Sequence, residues 1–119
     1  MWIFTNTGFV SAVSNGKDLM VRSRDRESLE PLAESAKTEI IATPANDYPY
    51  RTIVSHEIFS RWAAHMASNI AYKNFKSEVA ATRGHKFAHP LMKVWSAMHD
   101  VEDEKARVKS SSQQAAPTI

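Results

Sequence analysis

The first 55 positions carry short apolar runs broken by turn residues, and the next stretch, to about residue 101, repeats its apolar positions at helical spacing. "MWIFT" and "FVSAVS" are rich in aromatic and β-branched residues and interrupted at Asn6-Thr7-Gly8, so they read as β material. "NGKD" (15–18) follows, an Asn-Gly pair between apolar runs, which predicts a hairpin with "LMVRSR" (19–24) as partner strand. Alternation there puts Leu19, Val21 and Ser23 on one face and Met20, Arg22 and Arg24 on the other. A helix carrying Leu29, Leu32 and Ala36 comes next, with Asp25 or Ser28 as its cap. Pro31 favours Ser28, because proline is tolerated in a first turn and disturbs a helix interior. "TEIIAT" (38–43) and "YRTIVS" (50–55) predict two more strands around the turn-rich "PANDYP".

Beyond Ser55, a good N-cap, Ile58, Phe59, Trp62, Ala63, Met66 and Ile70 lie at helical spacing. Asn74 can cap a short helix with Phe75 and Val79 that Gly84 ends. A last helix follows to about residue 101, and "EDEKARVKSSSQQAAPTI" (102–119) has almost nothing to bury, which predicts a disordered polar tail. The expectation is a single α+β domain over 1–101. It has a four-stranded, mainly antiparallel sheet with helices packed on one face, and a helical C-terminal half.

Composition limits the classes. At 119 residues, 43% hydrophobic and 24% charged, the chain has the make-up of an ordinary globular protein. It contains no cysteine, which removes disulfides, thiolate ligands and thiol nucleophiles and fits a reducing cytoplasm. No apolar run is long enough to span a bilayer, and the amino terminus lacks signal-peptide features, so no membrane partner is expected. A formal charge of +2 permits an acidic partner without implying one. No cofactor is expected.

Candidate chemistry gathers in "RGHKFAHPLMKVWSAMHD" (83–100). On a helical wheel Leu91, Val94, Trp95, Met98 and Val101 form one side, the expected core side. His85, His89, Met92, Ser96 and His99 form a second stripe, flanked by Lys86 and Lys93. His85 and His89 have HxxxH spacing, but His99 is about 15 Å further along the axis. A metal would therefore need a third ligand from His56, Glu57 or His65, and the Glu of an HExxH motif is replaced by Lys86. No metal site is expected. His85 and His89 are also weak candidates for a metal-independent ribonuclease, with Arg83, Lys86 or Lys76 as the cation. Pro90 counts against that precision, since it can make His89 an N-cap and take His85 out of the helix. Exposed histidines on a polar face are the plainer account.

Arg22 and Arg24 share a strand face, Arg26 follows, and Arg51 lies beside Tyr48 and Tyr50. Guanidinium groups and flat rings on an open sheet are how several RNA modules bind, so a nucleic-acid partner is one expectation. The paired aromatics of the RRM consensus are absent, and Asp25, Glu27 and Glu30 offset the arginines. Trp2, Phe4 and Phe9 cannot all point inward in period two. If some of them sit outside with Met20, they compose a patch of the kind found at protein interfaces, for a protein partner or a homodimer, unless the last helix covers it.

"MWIFTNTGFVSAV", "VRSRDRESLEPL", "DYPYR", "NFKSEV" and "GHKFAHPLMKVWSAM", in this order, resemble a group of short, uncharacterised proteins of actinobacteria and their phages. The resemblance covers roughly residues 1–100, and Pro90 departs from its pattern. It implies a small accessory protein of the cytoplasm, the host cytoplasm where phage-encoded, and it carries over no catalytic residue. The expectation is therefore a non-enzymatic protein that binds a host or self partner through the early strands and the outer face of the last helix. Its candidate binding residues are Arg22, Arg24, Arg26, Arg51, His85, Lys86, His89 and Lys93.

Overall fold

The computed structural model describes residues 1–104, so the expected tail lies almost wholly outside the described residues. The chain divides into two compact units, Met1–Ala71 and a second that begins at Tyr72.

The first unit is α+β. Its strands are β1 (Trp2–Thr5), β2 (Gly8–Asn15), β3 (Asp18–Ser23), β4 (Ile41–Ala42) and β5 (Tyr50–Val54), with α1 (Arg26–Ala36) after β3 and α2 (His56–Ser68) after β5. All pairings are antiparallel, in the order β1-β2-β3-β5-β4. There are thus five strands where four are expected. The difference arises at Asn6-Thr7, which is a tight turn closed by the Thr5–Gly8 pair. Thr5 Oγ1 accepts the Thr7 N–H at 3.2 Å, so the side chain stabilises the reversal. In the next hairpin the loop residues are Gly16-Lys17, between Asn15 and Asp18. Gly16 has φ +70°, and Lys17 is not in the left-handed region, the Gly-first form of a two-residue loop.

Helix α1 begins at Arg26 with Asp25 as N-cap, three residues before the expected start, and it contains Pro31. Ser28 does not serve as the cap because its hydroxyl is engaged elsewhere. It accepts the Phe9 N–H at 3.2 Å and donates to the Asp25 carboxylate at 2.5 Å. The helix ends at Lys37, in the left-handed conformation, with the Thr38 N–H returning to the Ala33 carbonyl at 3.0 Å. Thr38 therefore still belongs to the helix terminus, and the expected strand over 38–43 shrinks to Ile41–Ala42.

Both helices lie over the inner face of the sheet. Val10, Ala12, Val21 and Val54 from the strands meet Leu29 and Leu32 of α1 and Phe59 and Trp62 of α2. Ser55 caps α2 as its position predicts, accepting the Ile58 N–H at 3.1 Å. Ile70 is the exception among the predicted apolar positions: it follows the helix and is exposed.

The second unit pairs α3 (Phe75–Arg83) with α4 (His85–Met98), followed by a 3₁₀ turn, His99–Val101. Asn74 caps α3 through the Ser77 N–H at 2.9 Å, and Gly84, at φ +90°, separates the two helices. Helix α4 starts at His85 and runs straight through Pro90, so His89 is not an N-cap. Its core side also differs from the expected one. Ala88 and Leu91 are buried, whereas Val94, Met98 and Val101 are exposed and Trp95 is half-buried. The change comes from length: α3 spans nine residues against fourteen in α4, and the buried positions of α4 lie in its first half.

Candidate functional site

Strand alternation assigns the outer face of the sheet residue by residue. The register carries one row across all five strands, in the order Trp2, Ser11, Arg22, Arg51, Ile41. Beside it lie Phe4 opposite Phe9 on one flank and Val13, Met20 and Ile53 on the other. The face is therefore graded. Aromatic side chains occupy β1 and the start of β2, and on β3 and β5 the guanidinium groups of Arg22 and Arg51 alternate with the aliphatic Met20 and Ile53.

The aromatic end is organised by ring contacts. Phe4 and Phe9 stack with centroids 4.6 Å apart, and Trp2 meets Phe9 edge-on at 5.7 Å. Such arrangements favour aromatic pairs beyond the area they bury. Trp2 is nonetheless 68% exposed.

The arginine end is internally engaged. Arg22 donates to the buried Ser11 hydroxyl at 3.0 Å. Its guanidinium carbon and that of Arg24 each lie 4.4 Å from the centroid of the Tyr48 ring, so one buried tyrosine meets two cations. Arg24 donates to the Asp47 carboxylate at 2.9 Å and to the Asp47 carbonyl at 2.8 Å. The hydrogen bond to Asp47 holds the Arg24 guanidinium above its usual range, so it stays cationic at any working pH. This ion pair is exposed on both sides, 55% and 76%, so its role is to hold the loop rather than to stabilise the fold. Arg51 donates to the Thr43 hydroxyl at 2.7 Å.

Three of the four arginines expected to act together are thus brought together. Arg26 is not: as the first residue of α1 it lies off the sheet, exposed at the helix start. The partners Ser11, Thr43, Asp47 and Tyr48 carry no sequence signal that ties them to these arginines, although Tyr48 stands out as an aromatic residue near Arg51.

The histidine stripe belongs to the second unit. His85 and His89 are exposed one turn apart on α4, with Lys86 and Lys93 also exposed. His99 lies in the 3₁₀ turn, where Nδ1 is 2.7 Å from Glu102 Oε1 and the ring meets Trp95 edge-on at 4.6 Å. Lys76 is half-buried on α3, and the Arg83 guanidinium lies 3.9 Å from the centroid of the Phe87 ring. Among the described residues no three His, Asp or Glu side chains converge as metal ligands. Among the same residues no helix is long and apolar enough to cross a membrane.

Comparison with family models, with curated proteins and with solved structures returns no match for the chain.

Proposed function

We propose that the protein is a small non-enzymatic accessory protein that docks a polypeptide partner on the outer face of its sheet. The observation that carries this reading is the division of that face. Trp2, Phe4, Phe9, Val13, Met20 and Ile53 supply apolar area, while Arg22, Arg24 and Arg51 already have partners within the chain. A phosphate backbone would have to compete with Ser11, Asp47 and Thr43 for these donors, and its binding falls steeply with salt. A face of aromatic, aliphatic and methionine side chains, with guanidinium groups between them held by partners within the chain, instead matches the composition of protein interfaces. The partner that fits is a polypeptide with aromatic or aliphatic anchors over β1 and β2. Such a role would be carried out in the host cytoplasm if the protein is phage-encoded.

The test is photo-crosslinking from a benzoylphenylalanine placed at Val13, followed by binding measurements with the purified captured protein. The reading holds if Phe4→Ala and Met20→Ala each weaken that complex about tenfold while added salt hardly changes it. It fails if neither substitution matters, or if the full chain binds a labelled single-stranded RNA with an affinity that drops steeply as salt rises.

A further inference from the structure

We infer that a second copy of the chain pairs with the free edge of β1, strand against strand, across a twofold axis. The inference goes beyond the docking reading and stands without it, since it concerns the backbone of the edge rather than the face.

Which groups the edge offers follows from the β1–β2 ladder. Met1 and Ala12 exchange two hydrogen bonds, both 2.8 Å: the Met1 amino group donates to the Ala12 carbonyl, and the Ala12 N–H donates to the Met1 carbonyl. Hydrogen-bonded and non-hydrogen-bonded pairs alternate along an antiparallel ladder. Ile3 and Thr5 therefore also bond inward to Val10 and Gly8, and Trp2 and Phe4 direct their N–H and C=O groups away from β2. β1 ends the strand order, so among the described residues no strand takes them up.

Sheets discourage such pairing with charges, prolines, bulges or very short strands at their edges. The opposite edge uses two of these devices: β4 has only two residues, and Pro44 follows it closely. β1 uses none. Its sequence is WIFT, without charge or proline, and it pairs with β2 in unbroken register. Met1 and Trp2, the most exposed large apolar residues of this unit at 74% and 68%, both stand at this edge.

One register satisfies everything. With Ile3 opposite Ile3 of the second copy, Trp2 faces Phe4 of that copy on each side of the axis. Both of those pairs fall on hydrogen-bonded positions, so all four outward N–H groups of the two strands find carbonyls. The same register keeps faces matched: Trp2 and Phe4 lie together on the outer face and the two Ile3 side chains on the inner face. Aromatic cross-strand pairs of this kind are among the favoured ones. Because the axis is twofold the contact closes on itself at two copies, and no third chain can add to the same edge. The two aromatic ends then form one continuous band across the seam.

Sedimentation equilibrium of the full chain over a wide concentration range tests the inference, with circular dichroism to confirm folding of each variant. A reversible monomer–dimer equilibrium is expected. Trp2→Lys, which places a charge in the seam, and Phe4→Pro, which removes an outward-pointing N–H together with the ring stacked on Phe9, are expected to weaken it about tenfold or more. Ile41→Lys at the opposite edge is expected to leave it unchanged. Should the two β1 variants misfold, Ile3→Cys supplies a second measurement, because the chain has no other thiol. On mild oxidation it is expected to form a disulfide-linked dimer, whereas Ser14→Cys is not. A parent chain that stays monomeric throughout overturns the inference, as does a dimer that Trp2→Lys leaves intact or an Ile3→Cys chain that does not cross-link. Loss of the edge pairing with capture at Val13 retained removes this inference alone, and the converse result removes the docking reading alone.

Discussion

The Ser28 hydroxyl of α1 accepts the backbone N–H of Phe9 in β2, at 3.2 Å. That N–H points toward the β3 side of β2, at a level where β3 has already ended at Ser23. The helix thus completes a ladder that the sheet leaves short. The contact requires Gly8, since a Cβ atom there would collide with Ser28 Oγ, Cβ and Cα, and Gly8 has φ +152°. Gly8→Ala is expected to destabilise the protein by about 3 kcal/mol through overpacking against a rigid helix. Ser28→Ala is expected to cost about 1–3 kcal/mol by leaving the Phe9 N–H without its acceptor. Urea unfolding of both variants checks the pair.

Tyr48 is the second test. It is buried and lies against two guanidinium groups, Arg22 and Arg24. Tyr48→Ala is expected to lose about 3 kcal/mol, from the vacated ring volume and two cation–π contacts together. Tyr48→Phe keeps the ring and is expected to lie within about 1 kcal/mol of the parent. An equal loss in both variants in chemical denaturation would assign the effect to the hydroxyl instead.

Helix capping gives a smaller and sharper expectation. Ser55→Ala removes the acceptor of the Ile58 N–H at the start of α2 and is expected to cost about 1 kcal/mol, whereas Ser55→Asp is expected to be nearly neutral. The same comparison at Asn74 tests the start of α3. Thermal melts of the four variants resolve it.

Pro90 predicts a gain. It lies inside α4, where its missing N–H costs a hydrogen bond and its ring presses on the preceding turn. Pro90→Ala is expected to stabilise α4 by about 1–3 kcal/mol, seen as increased ellipticity at the helix minimum and slower amide exchange over His85–Met98. Unchanged or lower helicity would mean that the fold at Pro90 already accommodates the ring.

The sequence shows its strongest local signals faithfully, and the misses have physical causes. Alternation in "LMVRSR" places Val21 inward and Arg22 outward because period-two geometry is independent of what surrounds the strand. Ser55 and Asn74 cap the helices expected of them because capping is settled within four residues. The start of α1 is illegible locally, since Ser28 is claimed by a backbone group nineteen residues earlier, and no propensity contains that fact. The first strand is split by the Asn6-Thr7 reversal, where the Thr5 hydroxyl accepts the Thr7 N–H. On α4, periodicity identifies an apolar stripe correctly but cannot say how far along the axis a neighbouring helix extends, so Val94 and Met98 are expected inside and stand outside. At the outer face the arginine positions are legible from alternation. Their partners Ser11, Asp47 and Tyr48 come from another strand and a loop, so only the tertiary arrangement reveals them.

The placement of β5 beside β3 bears on how the chain reaches this state. β1, β2 and β3 meet through two tight reversals, so their pairing closes only small loops and can form early. Leu19 opposite Val54 is a different matter, because α1, β4 and the Tyr48 loop all lie between them in the chain. Closing so large an excursion costs more chain entropy than closing either tight reversal. The arrival of β5 on a three-stranded meander is therefore expected to limit the rate at which the first unit forms, and substitutions at Thr52 or Val54 should slow refolding more than equally destabilising ones in β1.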